Sequence, residues 1–208
     1  MHAAVLVPIK DFRRAKQRLS SVLSPDQRNE AARQMAAHVL AVAAPYEVFV
    51  VCDDPSVADF AREHQAQVLW QPNVGLNGAI EEAVRQIASR ADRILIAHSD
   101  LPLAVSFADV MDTEGVAAVT DRHGRGTNVM ALPTSFAFTF RFGSGSFAAH
   151  QAEARRHRHI FQIVEDPRLS WDVDTPEDLH HPDVKEFFSW LPTSPDNPHS
   201  QTDQTSRR

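Results

Sequence analysis

The chain has 208 residues, a net charge of −6 and a single cysteine. That length suits one domain with a real core, and the acidic balance argues against a protein that grips nucleic acid. No disulfide can form within the chain, the start has no signal-peptide pattern, and no apolar run reaches the ~18–20 residues of a membrane span, so a cytoplasmic protein is expected.

Ala3–Ile9 reads as a buried strand. A basic segment follows, with Lys10, Arg13, Arg14, Lys16 and Arg18 close together. If a helix begins near Arg13, these cations crowd its first turns, where only an anion makes them favourable. The segment is therefore either a polyphosphate site or a solvated charged face. No glycine-rich cradle accompanies it, so side chains would have to do most of the phosphate binding. Ser24-Pro25 starts a helix to about Ala44, with Ser24 as the N-cap. Its apolar stripe of Ala32, Met35, Ala36, Val39, Leu40 and Ala43 reads as core. Glu47–Cys52 is the second strand, with Cys52 a small core residue. Asp54 then caps a helix opened by Pro55. Gln65–Trp70 is a third strand. The turn Gln71–Ala79 leads into a helix from about Leu76 to Arg90, where Asn77 either reads a base or ribose or serves as a cap.

Arg93–Leu103 is the organising stretch. Ile94 to Ala97 is an unbroken apolar run, as in a strand buried on both faces of a parallel sheet. Asp100 follows at once, and Leu101-Pro102 disfavours helix there. Ligands of open α/β sheets bind at the carboxyl ends of the strands. Asp100 is thus placed either to hold a hard divalent cation or to cap the next helix. A short helix around Val105–Thr113 and a strand at Val116–Thr120 come next. Gly124-Arg125-Gly126-Thr127-Asn128 is either a ligand-approaching turn or a hairpin. Phe136, Phe138, Phe140 and Phe142 alternate as one face of a strand. Gly143-Ser144-Gly145-Ser146 precedes a helix and suits an anion. His159–Val164 is a further strand. Asp172 and Asp174 alternate on an extended segment and share one side, and Thr175-Pro176 starts a helix. Residues 1–191 form the predicted domain, and the polar, proline-rich 192–208 a disordered tail. The 11 histidines show no zinc spacing.

Alternating strands and helices give an α/β protein with a mostly parallel sheet. A basic loop after the first strand, an acid after a central one and a later acid pair suit phosphoryl or nucleotidyl transfer, which needs cations and a metal more than covalent help. The motifs Val7-Pro8-Ile9-Lys10, Ala15-Lys16-Gln17-Arg18-Leu19, Leu76-Asn77-Gly78-Ala79 and Asp100-Leu101-Pro102 stand in order with three more. Those are Asp121 through Asn128, Phe142-Gly143-Ser144-Gly145-Ser146-Phe147 with His150, and Asp172-Val173-Asp174-Thr175-Pro176. Together, across about residues 3–180, they resemble the guanylyltransferases of deazaflavin coenzyme F420 biosynthesis.

The resemblance implies a single-domain nucleotidyltransferase fold, GT-A-like and Rossmann-like, with a mixed, mostly parallel sheet flanked by helices. It implies transfer of GMP from GTP to a small three-carbon phospho-acid (2-phospholactate, phosphoenolpyruvate or 3-phosphoglycerate) with release of pyrophosphate. Asp100 and Asp172 would ligate Mg2+, with Asp174 beside them. Lys16, with Lys10 and Arg18, would hold the GTP phosphates, and Leu76 and Asn77 would face the guanine. Thr127, Gly143 and Ser146 would hold the acid. Arg125 stands where the family often has a smaller residue; it would meet the acid's carboxylate or a hydroxyl. His98-Ser99 before the key acid is a second departure. Expected partners are GTP and the acid, with no nucleic acid or membrane, and a homodimer among the oligomeric options. The alternatives are a molybdenum-cofactor or sugar-phosphate nucleotidyltransferase and, in another class, a GT-A-like glycosyltransferase or a non-catalytic nucleotide-binding module.

Overall fold

In the computed structural model, which describes residues 2–191, seven strands form one sheet in the order β3-β2-β1-β4-β6-β5-β7. The strands are β1 (Ala3–Pro8), β2 (Glu47–Cys52), β3 (Gln67–Trp70), β4 (Arg93–Ala97), β5 (Val116–Thr120), β6 (Thr127–Pro133) and β7 (Phe161–Ile163). Only β6 is antiparallel to its neighbours, β4 and β5. The other pairings are parallel. The mostly parallel α/β sheet read from the sequence is present. The expected tail, 192–208, lies outside the described residues.

Both faces of the sheet are apolar because period-2 side chains must find cover on each side. Val5, Val7, Leu95 and Ala97 pack under α1 (Pro25–Ala43) and α2 (Pro55–Glu63). Ala4, Leu6, Ile94 and Ile96 pack under α3 (Leu76–Ile87) and α5 (Ser146–Arg156). The two short helices are α4 (Ala108–Asp112) and α6 (Pro182–Phe187). The helix starts follow the sequence. Ser24 accepts from the Gln27 amide in a full capping box with Pro25 behind it. Asp54 accepts from the amides of Ser56 and Val57. No described helix is long and apolar enough to cross a membrane.

Two readings are corrected. The basic segment forms no helix. It makes two 3-10 turns, Phe12–Arg14 and Gln17–Leu19, broken at Lys16, whose φ of 53° and ψ of 40° are left-handed. That backbone is uncommon for a side-chain-bearing residue, and it interrupts any helix. Residues 136–142 form no strand either. They have no ladder partner, while Phe140 and Phe142 still bury in the cluster on the α3 face. The aromatic alternation reported burial, not sheet pairing.

A third apolar cluster fixes the loops at the carboxyl edge. Leu19, Leu23, Met35, Val173, Val184 and Phe188 pack together. Val173 is fully buried there. Its two neighbours, Asp172 and Asp174, must therefore face the other way. The loop carrying Lys16 and the segment carrying both acids share one hydrophobic anchor.

Candidate active site

The carboxyl ends of β1 and β4 are adjacent because these strands pair in parallel. Lys16 leaves the loop after β1, and Asp100 the loop after β4. The Lys16 ammonium lies 2.5 Å from Asp100 Oδ2 and 2.9 Å from Asp174 Oδ1. Its side chain is only 9% exposed. Burial would lower the Lys16 pKa, but the charges of Asp100 and Asp174 outweigh it and hold the ammonium above its ordinary range. Burial likewise pushes Asp100 up; the Lys16 charge overrides it and keeps the carboxyl below the usual value. Lys16 is thus a fixed cation and Asp100 a fixed anion.

The 172–174 segment crosses beside them. The Val173 amide donates to the Asp100 carbonyl at 3.2 Å, so both acids reach the same side of the sheet as Asp100. Asp178, nearly buried, accepts from the amides of Asp174 and Thr175 at 2.8 and 2.6 Å. Arg122 pairs with Asp178 and lies over the Trp171 ring. Asp172 Oδ1 accepts from Asn128 Nδ2 at 3.2 Å. Burial and the nearby Asp100 charge push the Asp172 carboxyl up to about 6. Asp174 directs its oxygens at Lys16 and Arg18, the latter at 3.7 Å. Among the described residues, no group of three His, Cys, Asp or Glu side chains is arranged to hold a metal.

The two glycine turns meet, as their spacing allows. The Phe147 amide donates to the Arg125 carbonyl at 3.1 Å, and Ser146 Oγ lies 3.2 Å from Thr127 Oγ1. The 121–126 loop is a hairpin between β5 and β6. Its hub is Asp121, whose carboxylate accepts from the amides of His123, Arg125 and Gly126 at 3.0, 2.8 and 2.7 Å. Arg125 itself is exposed. The amides of Ser146 and Phe147 are used inside the turns, the former on the Gly143 carbonyl. Gly143 and Gly145 have φ of +130° and +74°, backbone that favours glycine.

His150 sits behind the hydroxyls, fully buried. Its Nε2 accepts from the Arg141 amide at 3.0 Å, which leaves the proton on Nδ1, 3.1 Å from Thr127 Oγ1. Burial, with help from nearby His98 and Arg141, drives its pKa down to about 4. It is a neutral donor that orients Thr127. Sequence reasoning placed His150 in a motif without giving it this task.

A pocket of about 260 Å³ opens beside Lys16 and Asp100, walled by the loops after β1, β2, β3 and β4 and the start of α3. Lys10 and Leu76 line it. Asn77 takes another role. Its amide clamps the Phe142 backbone, accepting from Phe142 N at 2.7 Å and donating to Phe142 O at 3.2 Å. It ties α3 to the turn that begins at Phe142. Lys10 and Arg18 are exposed where Lys16 is not.

An open, mostly parallel sheet with a carboxylate–ammonium cluster at its carboxyl edge, beside a pocket and a hydroxyl-lined turn, is the arrangement of an α/β protein suited to phosphorylated ligands. A solved nucleotidyl transferase from Methanothermobacter thermautotrophicus shares the fold, with a TM-score of 0.64 at 15% identity over 91% of this chain and 99% of that one. Residues 3–182 match the family model described as "Guanylyl transferase CofC like", and the chain belongs to that family. It is 37% identical to a phosphoenolpyruvate guanylyltransferase from Sphaerobacter thermophilus, covering 86% of this chain and 91% of that protein. It is 34% identical to a 2-phospho-L-lactate guanylyltransferase from Methanothermobacter thermautotrophicus, covering 86% and 83%. The family favours neither a molybdenum-cofactor or sugar nucleotidyltransferase nor a glycosyltransferase.

Proposed function

We propose that this chain transfers GMP from GTP to the phosphate of a three-carbon phospho-acid, in the cytoplasm, as a step of coenzyme F420 biosynthesis. The observation that carries this reading is Lys16, a buried and permanently charged ammonium on the pocket wall, held by Asp100 and Asp174. The acids named for the relatives, phosphoenolpyruvate and 2-phospho-L-lactate, define the acceptor class.

In this reaction an oxygen of the acceptor's phosphate forms a bond to the α-phosphorus of GTP. The bond from that phosphorus to the bridging oxygen breaks, and pyrophosphate leaves with the electron pair. The attacking phosphate is already anionic at neutral pH, so no strong base is needed. What the chain must supply is positioning and charge. Lys16 neutralises phosphate charge without giving up its proton. Thr127 and Ser146 offer hydroxyls to the acid's phosphate, with His150 orienting Thr127. Lys10 and Arg18 supply further, solvated charge.

The acidic cluster fits a magnesium ion. Asp100 Oδ1 is buried without a hydrogen-bond partner among the described residues. Asp172 lies close enough to Asp100 for its carboxyl to be pushed up. Surplus negative charge on hard oxygens is what Mg2+ relieves, and one or two carboxylates plus substrate phosphates are its usual share of ligands. Asp100 and Asp172 would hold it, with Asp174 alongside. When bound, it supplies neutralisation and alignment of the polyphosphate.

The test is a matrix of nucleotides against acids, with products read by mass and pyrophosphate followed in parallel. A guanosine diphospho-acid formed with release of pyrophosphate is expected. Consumption of a nucleotide sugar without pyrophosphate would overturn the reading.

A further inference from the structure

Among the polar groups on the pocket wall that the reaction just described leaves without a task, Gln71 and Asp53 stand together. Gln71 is 6% exposed, lines the pocket, and its Nε2 has no hydrogen-bond partner among the described residues. Buried amide donors are nearly always paired, so this one calls for an explanation. Asp53 lines the same pocket, and its carboxylate makes no hydrogen bond or ion pair among the described residues. Unlike Gln71, it is exposed.

Topology brings the two side by side. β2 and β3 pair in parallel with Cys52 opposite Trp70. Asp53 and Gln71 are the next residues on each strand, and the Gln71 amide continues the ladder by donating to the Cys52 carbonyl at 2.9 Å. Both sit at the carboxyl edge on the far side of β1 from Asp100, Asp53 two strands away and Gln71 three. Pro8, Ile9, Val74 and Leu76 contribute an apolar lining to the same pocket. An apolar slot with a few convergent polar groups is how planar ligands are bound and oriented.

We propose that Gln71 and Asp53 read the pairing edge of the guanine base, Gln71 donating from Nε2 to O6 and Asp53 accepting from N1–H and N2–H. This rests on the reading that GTP occupies the pocket. The guanine edge shows one acceptor beside two donors, which an amide N–H and a carboxylate complement. Adenine reverses the order. Its N1 lone pair would face a carboxylate, and its amino group would face the amide donor. The pair therefore both attracts guanine and repels adenine, the two halves of specificity. Sites that hydrogen-bond a substrate group discriminate strongly against analogues that lack it, because their own polar atoms are then left unpaired.

The experiment measures kcat/KM for GTP, ITP and ATP, with the acid saturating, for the wild type, Gln71→Leu and Asp53→Asn. ITP keeps O6 and N1–H but lacks the 2-amino group. The wild type should prefer GTP to ITP and both to ATP. Gln71→Leu should lower kcat/KM for GTP and ITP alike, by about tenfold or more, and leave ATP nearly unchanged. Asp53→Asn should collapse the GTP/ITP ratio toward one and raise ATP relative to GTP. The KM of the acid should not move in either variant. Calorimetric titration with GDP, IDP and ADP reads the same preferences without turnover, and circular dichroism checks the fold. Equal losses for GTP and ATP in Gln71→Leu, or a wild-type GTP/ITP ratio in Asp53→Asn, would overturn the assignment while leaving guanylyl transfer intact. A wild type that makes no product from GTP yet binds GDP over ADP would instead sink the proposed reaction and keep the base assignment.

Discussion

Replacing Asp172 with asparagine separates what this carboxylate does for chemistry from what it does to the fold. Burial, then the Asp100 charge, raises its carboxyl from 3.8 to about 6. The folded protein thus binds that proton more tightly than the unfolded chain, and ionising the group costs stability. The contribution is most favourable below pH 3.8, falls as pH rises through about 6, and is flat above that. The gap between the two values is worth about 3 kcal/mol at ~1.36 kcal/mol per pH unit. Partial exposure of the side chain trims it to about 2 kcal/mol. The asparagine oxygen can keep the bond from Asn128 Nδ2, so little is lost but charge. In EDTA at pH 7.5, Asp172→Asn should raise Tm by about 4–8 °C, and the gain should shrink as pH falls from 6 toward 4. Magnesium should stabilise the wild type more than the variant. Turnover should fall by about 10²-fold or more. Calorimetric scans across pH, with and without the metal, check all of this. An unchanged or lower Tm at pH 7.5 would refute the electrostatic argument, and near-normal turnover would refute the catalytic one.

Lys16→Ala strands Asp100 without its counter-charge. It should cost about 3–5 kcal/mol in denaturant unfolding and weaken GTP far more than the acid; unchanged GTP affinity would reduce the loop to a charged face. Ser146→Ala should raise the KM of the acid several-fold, since one hydrogen bond to a charged group is worth about 1.5–3 kcal/mol. The GTP constant should stay fixed, and the opposite pattern would assign this turn to the nucleotide. Gly126→Ala puts a methyl 2.7 Å from Asp121 Oδ2, the oxygen that accepts the Gly126 amide. The hairpin hub must shift, so unfolding should ease by about 1–3 kcal/mol and the KM of the acid should rise. A wild-type KM would show that Asp121 does not set the position of Thr127.

What the sequence made legible was whatever repeats locally. The capped start at Ser24-Pro25, the Asp54 cap and the buried run Ile94–Ala97 each follow from neighbours in the chain, and each is found. Asp100 after β4, and Asp172 and Asp174 flanking an inward Val173, follow from strand-end logic and period-2 alternation. The left-handed turn at Lys16 did not show, because its cause is tertiary: two carboxylates remote in sequence hold the ammonium inward. Asn77 as a clamp on Phe142 has the same origin, a contact across 65 residues. Gln71 stood only as the first residue of a turn, and its burial without a partner is what marks it. Phe136 to Phe142 misled because alternation encodes a buried face, whereas a strand also needs a neighbour to bond.

One reversed strand explains how the groups proposed for the acceptor and those proposed for the metal come together. In a parallel sheet only carboxyl ends reach the ligand edge. β6 runs against β4 and β5, so its amino end lies there, with Thr120 paired to Thr127 and Ala97 to Val129. Thr127 and Asn128 therefore arrive beside Asp100, the first facing Ser146 and the second holding Asp172. A parallel strand in that place would send both to the opposite edge. The pocket proposed for the nucleotide, by contrast, is walled by the loops after the parallel run β3-β2-β1-β4. Lys16 and Asp100 stand at the seam between β1 and β4. On this reading the two substrates approach from opposite halves of the sheet and meet where the fixed charges are. Substitutions on the β6 side should move constants for the acid, those on the β2–β3 side constants for the nucleotide, and those at the seam the rate of transfer itself.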